Sequence, residues 1–277
     1  STDILKIFVG IEIVTFSFYP LFIIRKSEEE REALVKYFAA NLFGTSLIIF
    51  SLSLIYGNYL PIFAISFLLA GFGFKITAFP FNLWAVDVYE SLTSYASSLI
   101  VSIAKIAYIV ALTNILFFNE FVSSTNWSIL TQFLAVITLT IPNIIAIFQD
   151  KLKRMFSYFT LSQIGFALIA ISSLSLTALK VYLFFEAFAL FSLFLISETK
   201  FYRSKILTFS LLIAIASLLG FPPLGGFFGK YFVFLFAIEK KLYWLVVLAI
   251  INTAISFYYM LNIFRRNFEF LNNLKIK

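Results

Sequence analysis

Hydrophobic positions in this chain fall into long uninterrupted runs rather than the alternation of a half-buried strand or the narrow stripe of a surface helix. Nine runs stand out, at about 4–24, 34–56, 62–84, 93–118, 128–148, 155–175, 178–198, 206–238 and 242–264. A run of about 20 apolar residues is what a helix needs to cross roughly 30 Å of hydrocarbon. The pattern therefore predicts an all-α, polytopic transmembrane bundle of nine spans. The first run begins at Ile4 and is itself long enough to span, with no short signal-peptide pattern before it, so it is expected to remain in the membrane.

The eighth run is too long for one straight helix. It contains Gly220-Phe221-Pro222-Pro223-Leu224-Gly225-Gly226, which predicts a break, because proline removes a backbone donor and clashes with the preceding turn. Broken backbone at membrane depth is tolerated only where protein buries it or where it lines a wet cavity.

Composition strengthens the membrane reading. Apolar residues make up 61% of the chain and charged residues 13%, against roughly 45–50% and 25% in soluble domains. Cysteine and histidine are both absent. That excludes a disulfide framework and any metal, haem or iron–sulfur cluster held by those side chains, so redox chemistry is expected to belong to partners. The dinucleotide and phosphate-loop glycine motifs are missing too.

The net charge of +7 raises the question of nucleic acid. Sorting the 21 basic residues by loop answers it. Lys6, Lys180, Lys240 and Lys241 lie on one side. Arg25, Lys26, Arg31, Lys36, Lys151, Lys153, Arg154, Lys200, Arg203, Lys205, Arg265, Arg266, Lys275 and Lys277 lie on the other. This 14-to-4 bias follows the positive-inside rule, with the N-terminus on the outer side. A nucleic-acid surface would instead gather its basic residues on one face of a compact domain. The longest polar stretch, Arg25 to Glu32, reads as a solvated connector.

Glu12, Lys75, Lys105, Glu186 and Lys230 fall inside the spans. Each such charge costs at least ~2.5 kcal/mol at the bilayer centre, and its usual justification is an ion or proton pathway facing the bundle interior. A buried lysine is pushed toward its neutral form by desolvation, and a nearby glutamate opposes this. Joining or separating such a pair captures or releases a proton. Glu186 has Phe184, Phe185 and Phe188 around it. It is a further candidate with two open readings, a pair with Lys180 or contact with a partner subunit. The 14 tyrosines and the serine, threonine and asparagine residues of the spans read mainly as packing groups, since small polar residues also hold helices together.

Two stretches, Gly71-Phe-Gly-Phe-Lys-Ile-Thr-Ala-Phe-Pro-Phe-Asn-Leu-Trp-Ala-Val-Asp-Val-Tyr-Glu90 and Gly220-Phe-Pro-Pro-Leu-Gly-Gly-Phe-Phe-Gly-Lys-Tyr231, resemble signatures of the antiporter-like subunits of NADH:quinone oxidoreductase, respiratory complex I. Asp87-Val-Tyr-Glu90, Ser102-Ile-Ala-Lys-Ile106, Val9-Gly-Ile-Glu12 and Leu152-Lys-Arg-Met-Phe-Ser-Tyr158 are most similar to subunit 2. The likeness runs over nearly the whole chain. It implies two inverted-topology repeats with a broken helix in each, within one domain over 1–277. The first repeat, incomplete, covers about 1–118 and the second about 126–266. It also implies a proton relay in which Glu12 and Lys75 form the input pair, Lys105 connects, and Lys230 is the output residue. NADH, FMN, iron–sulfur clusters and quinone are then expected in partner subunits, with no cofactor in this chain.

The resemblance implies other membrane-arm subunits and membrane lipids as partners, and no nucleic acid. Relative to the family, the chain begins at the second helix of the first repeat and lacks a final helix. A split or shortened gene, or a partial sequence, would account for this, and a second fragment would then supply the missing helices. Asn82 and Gln163 stand where many relatives have histidine. The abundance of Phe, Ile, Lys, Asn and Tyr points to a mitochondrial inner membrane, with a prokaryotic cytoplasmic membrane as the alternative. Two other functions stay open: a subunit of a cation/proton antiporter or hydrogenase-type complex, and a non-pumping structural remnant.

Overall fold

In the computed structural model the described residues are 4–24, 27–57, 59–118, 127–197 and 205–274, with side chains described as far as 262. Arg25, Lys26, Lys200, Arg203, Lys275 and Lys277 from the charge sorting lie outside them, as do the side chains of Arg265 and Arg266. The described residues are helical, without strands. Eleven helices follow in order: α1 (Ile4–Phe18), α2 (Glu28–Tyr56), α3 (Pro61–Ile76), α4 (Ala85–Ser91), α5 (Ser94–Phe118), α6 (Trp127–Ile147), α7 (Leu152–Ser172), α8 (Leu176–Ser197), α9 (Lys205–Leu219), α10 (Gly225–Glu239) and α11 (Tyr243–Leu274).

Seven of these segments are long and apolar enough to cross a membrane, α1 counting with the short 3₁₀ turn that follows it. The other two expected spans are the interrupted ones. Helix α3 stops at Ile76, where Thr77 turns into the left-handed region at φ 62°, and the chain resumes as α4. The interval 206–238 divides into α9 and α10 around Gly220 at φ 85°, a conformation that glycine adopts without a Cβ penalty. A Cβ on Gly226 would lie 1.8 Å from the Ser217 carbonyl oxygen, so the two half-helices touch backbone to backbone.

Local signals account for the element ends. Ser27 caps α2 by accepting a hydrogen bond from the Glu30 amide at 3.1 Å. Glu28, Glu29 and Glu30 occupy its first turn, where carboxylates suit the helix dipole. Pro61 opens α3, the position at which proline loses nothing. Thr93 caps α5 through the Ala96 amide. Within α5, residues Ile100–Ala104 widen to a π turn immediately before Lys105. Such bulges recur at functional sites because they rotate the following side chain.

Small residues set the tightest crossings. A Cβ on Gly71 would meet the Gly44 carbonyl oxygen at 2.7 Å, and one on Gly165 would meet Leu139 at the same distance. These contacts bring α2 onto α3 and α6 onto α7, as small residues do in membrane bundles. Polar groups join α6 to α11. The Asn143 side-chain amide donates to the Asn252 carbonyl at 2.9 Å, and Asn143 Oδ1 accepts from Ser256 at 3.0 Å and Tyr259 at 2.8 Å.

The outward faces are apolar. Leu5, Val9, Ile13 and Phe16 lie exposed along one side of α1, a surface that lipid covers and water would not. Helix α7 is the inverse case, buried on all sides at the centre of the bundle.

Candidate functional site

Lys75 sits in the last turn of α3, where the unpaired carbonyl ends of the helix favour a cation. Its Nζ is 3.0 Å from Glu12 Oε1, with Lys75 fully buried and the Glu12 side chain 21% exposed. The pair is surrounded by hydroxyls. Thr45 donates to Glu12 Oε1 at 2.8 Å, and Lys75 donates to Thr15 Oγ1 at 3.1 Å. Thr15 Oγ1 also lies 3.0 Å from Tyr108 OH and donates to the Ile11 carbonyl. A buried ion pair needs this support, because the mutual attraction outweighs desolvation only when the remaining donors and lone pairs are satisfied.

Tyr108 is one turn beyond Lys105 on α5, and its ring lies 5.5 Å from Lys75 Nζ. Lys105 is buried, donates to Thr160 Oγ1 of α7 at 3.3 Å, and lies 5.4 Å from the centre of the Tyr89 ring. Buried Tyr37, Tyr89 and Tyr108 therefore occupy the region around the two lysines. Trp84 packs edge-on to Tyr37 and to Tyr89 and fixes their positions.

Lys230 lies in the second turn of α10, over the Phe166 ring of α7 at 4.3 Å. This is a cation–π contact. Lys230 Nζ is buried and has no hydrogen-bond partner among the described residues, and its aliphatic stem approaches the break at Gly220. The stem lines an apolar cavity of about 500 Å³ with Phe221, Phe227, Phe234 and Phe257.

Glu186 departs from both readings given to it above. Lys180 is exposed at its own end of α8, while Glu186 is buried on the opposite face from Phe184 and Phe188. Its helix packs against α5 just before Lys105 and against α10, which carries Lys230. The structure thus brings Glu12 and Lys75 together as expected. It separates Lys105 and Lys230 from that pair and sets Glu186 with them.

Asn82 is buried with Oδ1 unpartnered, and buried Gln163 accepts from Tyr182 OH at 2.8 Å through its backbone carbonyl. Sequence reasoning passed over Thr15, Tyr108 and Thr160 as packing residues. A signal existed for two of them: Thr15 lies three residues after Glu12, and Tyr108 three after Lys105, the spacing that stacks side chains on one helix face.

At the end of the bundle, α2, α4 and α7 are tied by ion pairs. Lys36 reaches Asp87 at 3.0 Å and Glu32 at 2.8 Å. Arg154 reaches Asp87 at 3.1 Å and Glu90 at 2.9 Å, and Lys151 reaches Glu90 at 2.6 Å. Lys153 also donates to the Leu92 carbonyl. Burial alone would raise the Asp87 and Glu90 carboxyls. Lys36 and Arg154 around the first, and Lys151 and Arg154 around the second, outweigh it and hold both below the ordinary carboxylate value. Among the described residues, no three His, Cys, Asp or Glu side chains converge as a metal site.

Similarity to known proteins follows this geometry. NADH-quinone oxidoreductase subunit N of Trichlorobacter lovleyi is 28% identical over 95% of this chain and 62% of its own length. Subunit N 2 of Acidobacterium capsulatum is 31% identical over 96% of this chain and 64% of its own. A chain of respiratory complex I from Thermus thermophilus, solved with bound aureothin, superposes with a TM-score of 0.84 at 25% identity, covering 94% of this chain and 65% of that one. Both relatives are bacterial and carry the name subunit N rather than subunit 2, and this chain spans just under two thirds of each. Residues 1–256 match the family described as NADH:quinone oxidoreductase/Mrp antiporter, TM, so this multi-pass membrane chain belongs to that family.

Proposed function

We propose that the chain translocates protons as an antiporter-like, subunit N-type component of an NADH:quinone oxidoreductase, coupling quinone reduction elsewhere in the complex to proton movement through Glu12, Lys75, Lys105 and Lys230. The observation that carries this is the buried Glu12–Lys75 pair at 3.0 Å with its threonine and tyrosine contacts. In that geometry Glu12 holds the Lys75 ammonium in place. Loss of the Glu12 charge leaves a fully desolvated cation, which relaxes by giving up its proton. Thr15 and Tyr108 join their hydroxyls beside Lys75, Tyr108 stands one turn from Lys105 on the same helix, and Thr160 of α7 receives the Lys105 ammonium. Lys230 is the last group in the row.

Two inverted repeats, over about 1–118 and 126–266, would each contribute one interrupted span, at Thr77–Trp84 and around Gly220. NADH, FMN, iron–sulfur clusters and quinone belong to partner subunits in this reading. Other membrane-arm subunits are its partners in this reading. The bacterial relatives favour a prokaryotic cytoplasmic membrane over the mitochondrial inner membrane, with the basic loop side facing the cytoplasm. A second reading, a subunit of a cation/proton antiporter, is favoured by the breadth of the family, which includes Mrp antiporters. Sodium-dependent transport would select it.

The test is Lys105→Ala in the assembled complex in sealed vesicles. Protons moved per NADH oxidised should fall several-fold. An unchanged ratio removes the relay assignment.

A further inference from the structure

Beyond the Glu12–Lys75 pair, the interior of the bundle also holds Lys105, Lys230 and Glu186, and among the described residues no salt bridge joins them. Lys105 has one hydroxyl, Thr160 at 3.3 Å, and Lys230 Nζ has no hydrogen bond. Glu186 accepts no hydrogen bond among the described residues and is 8% exposed. Burying an unpaired ion costs several kcal/mol, so this arrangement is not an incidental product of packing.

The location of Glu186 follows from helix geometry. Leu179, Tyr182, Leu183, Glu186, Leu190 and Leu193 are all buried and share one face of α8. That helix packs against the Ser94–Ala104 part of α5, which ends immediately before Lys105, and against α7, α9 and α10, the last of which carries Lys230. The approach to α10 is close. A Cβ on Gly229 would lie 3.1 Å from Tyr182 Cα, and one on Gly225 would collide with the Phe185 ring at 2.1 Å. Gly225 and Gly229 therefore let α8 come close to α10 beside Lys230, and the α8 residues at those contacts flank Glu186.

We propose that Glu186 is a shared counter-ion, a positioning carboxylate for which Lys105 and Lys230 compete, so that pairing with one leaves the other free to release its proton. This rests on the relay reading above. When Glu186 pairs with Lys105, the unpaired Lys230 ammonium gives its proton from Nζ to water and becomes a neutral amine. When Lys230 is reprotonated, it draws Glu186 back and Lys105 is released in turn. In each step an N–H bond breaks as an O–H bond of water forms, or the reverse, while Glu186 changes partner. The charged and titratable groups around it are Lys105 on α5, Lys230 on α10 and Tyr182 on α8 itself. Thr160 and Gln163 of α7 are uncharged, and the facing part of α9 carries no charged residue.

The experiment compares Glu186→Gln with Glu186→Asp in the complete complex reconstituted in proteoliposomes. NADH-driven proton uptake is read from about pH 6 to 9, a range in which desolvated lysines titrate. A counter-ion role needs charge: Gln, although isosteric, should lower protons moved per NADH several-fold. Asp should retain most of the yield with a displaced pH profile. A packing role makes the opposite demand, tolerating Gln and rejecting the shorter Asp. Wild-type yield and profile with Gln overturn the proposal. If Gln prevents assembly, Asp decides: a displaced profile supports the proposal, while a wild-type profile or failure to assemble overturns it. Lys105→Ala measured alongside separates the two levels. If it lowers pumping while Glu186→Gln does not, the counter-ion fails alone. If neither variant matters, the relay itself fails.

Discussion

Around α1–α3 the buried lysine has its carboxylate 3.0 Å away and hydroxyls on both members of the pair. Around α5, α7, α8 and α10 two lysines and a carboxylate are buried with no salt bridge among them in the described residues, and Lys230 rests on an aromatic ring. The first region is electrostatically closed, so its charges add to the cohesion of the bundle. The second is open, and its charges are held there by the packing of the helices around them. A closed pair holds its protonation state until something pulls it apart, whereas an open set is already divided between alternatives. The contrast fits a row in which the first site is gated and the second responds.

The largest expected effect breaks the contrast directly. Glu12→Gln leaves the fully buried Lys75 ammonium without its partner, and stability should fall by about 3 kcal/mol, read as a lower unfolding temperature in mild detergent. Lys230→Met should act in the opposite direction. It removes an unpartnered buried cation and fills the same space, raising stability by about 1 kcal/mol while proton translocation is lost. Equal destabilisation by both variants would mean that the two regions do not differ as described.

A smaller change sharpens the boundary between the regions. Tyr108→Phe deletes the hydroxyl that meets Thr15 at 3.0 Å. It should cost about 1 kcal/mol, with a reduced proton-transfer rate and an intact Glu12–Lys75 pair. A rate equal to wild type would place the connection between Lys75 and Lys105 elsewhere.

The smallest effect lies at the membrane edge. The folded-state Asp87 and Glu90 carboxyls titrate below their ordinary values. Their contribution is complete above about pH 4, the ordinary carboxylate range, and is lost as pH falls through the lowered values. Because these groups are partly exposed, the loss should be shallow, and salt should reduce it further. Unfolding temperature against pH in acid tests this, with Asp87→Asn giving a flatter curve.

The sequence made the spans legible because a membrane helix announces itself by length and apolarity alone. It made the second break legible because Pro222, Pro223 and three glycines crowd into seven residues. The first break was masked: the interval 62–84 has the length of an ordinary span, and the helix ends at Thr77, whose left-handed backbone leaves no mark in composition. The buried charges could be listed from the sequence because each carries a known cost. Their grouping could not. Glu12 finds Lys75 across 63 positions. Glu186 faces away from the phenylalanines beside it in sequence because a helix separates neighbours and stacks residues a turn apart. The hydroxyls were hidden by the same ambiguity, since Thr15 on a helix face reads equally as packing or as a hydrogen-bond partner until Tyr108 arrives from α5.

Helix α7 has a consequence for biogenesis. It is the least hydropathic of the seven full-length spans and the most thoroughly enclosed by protein. Lys153, Arg154, Ser157, Thr160, Ser162 and Gln163 give it little reason to partition into lipid by itself. Its immediate predecessor α6 meets it at Gly165 and Leu139 across a connection of only a few residues. The pair is therefore expected to enter the bilayer as one hairpin, with α6 supplying the driving force. The central helix of the bundle is then a late guest, stable in the membrane only once its neighbours have made a protein interior for it.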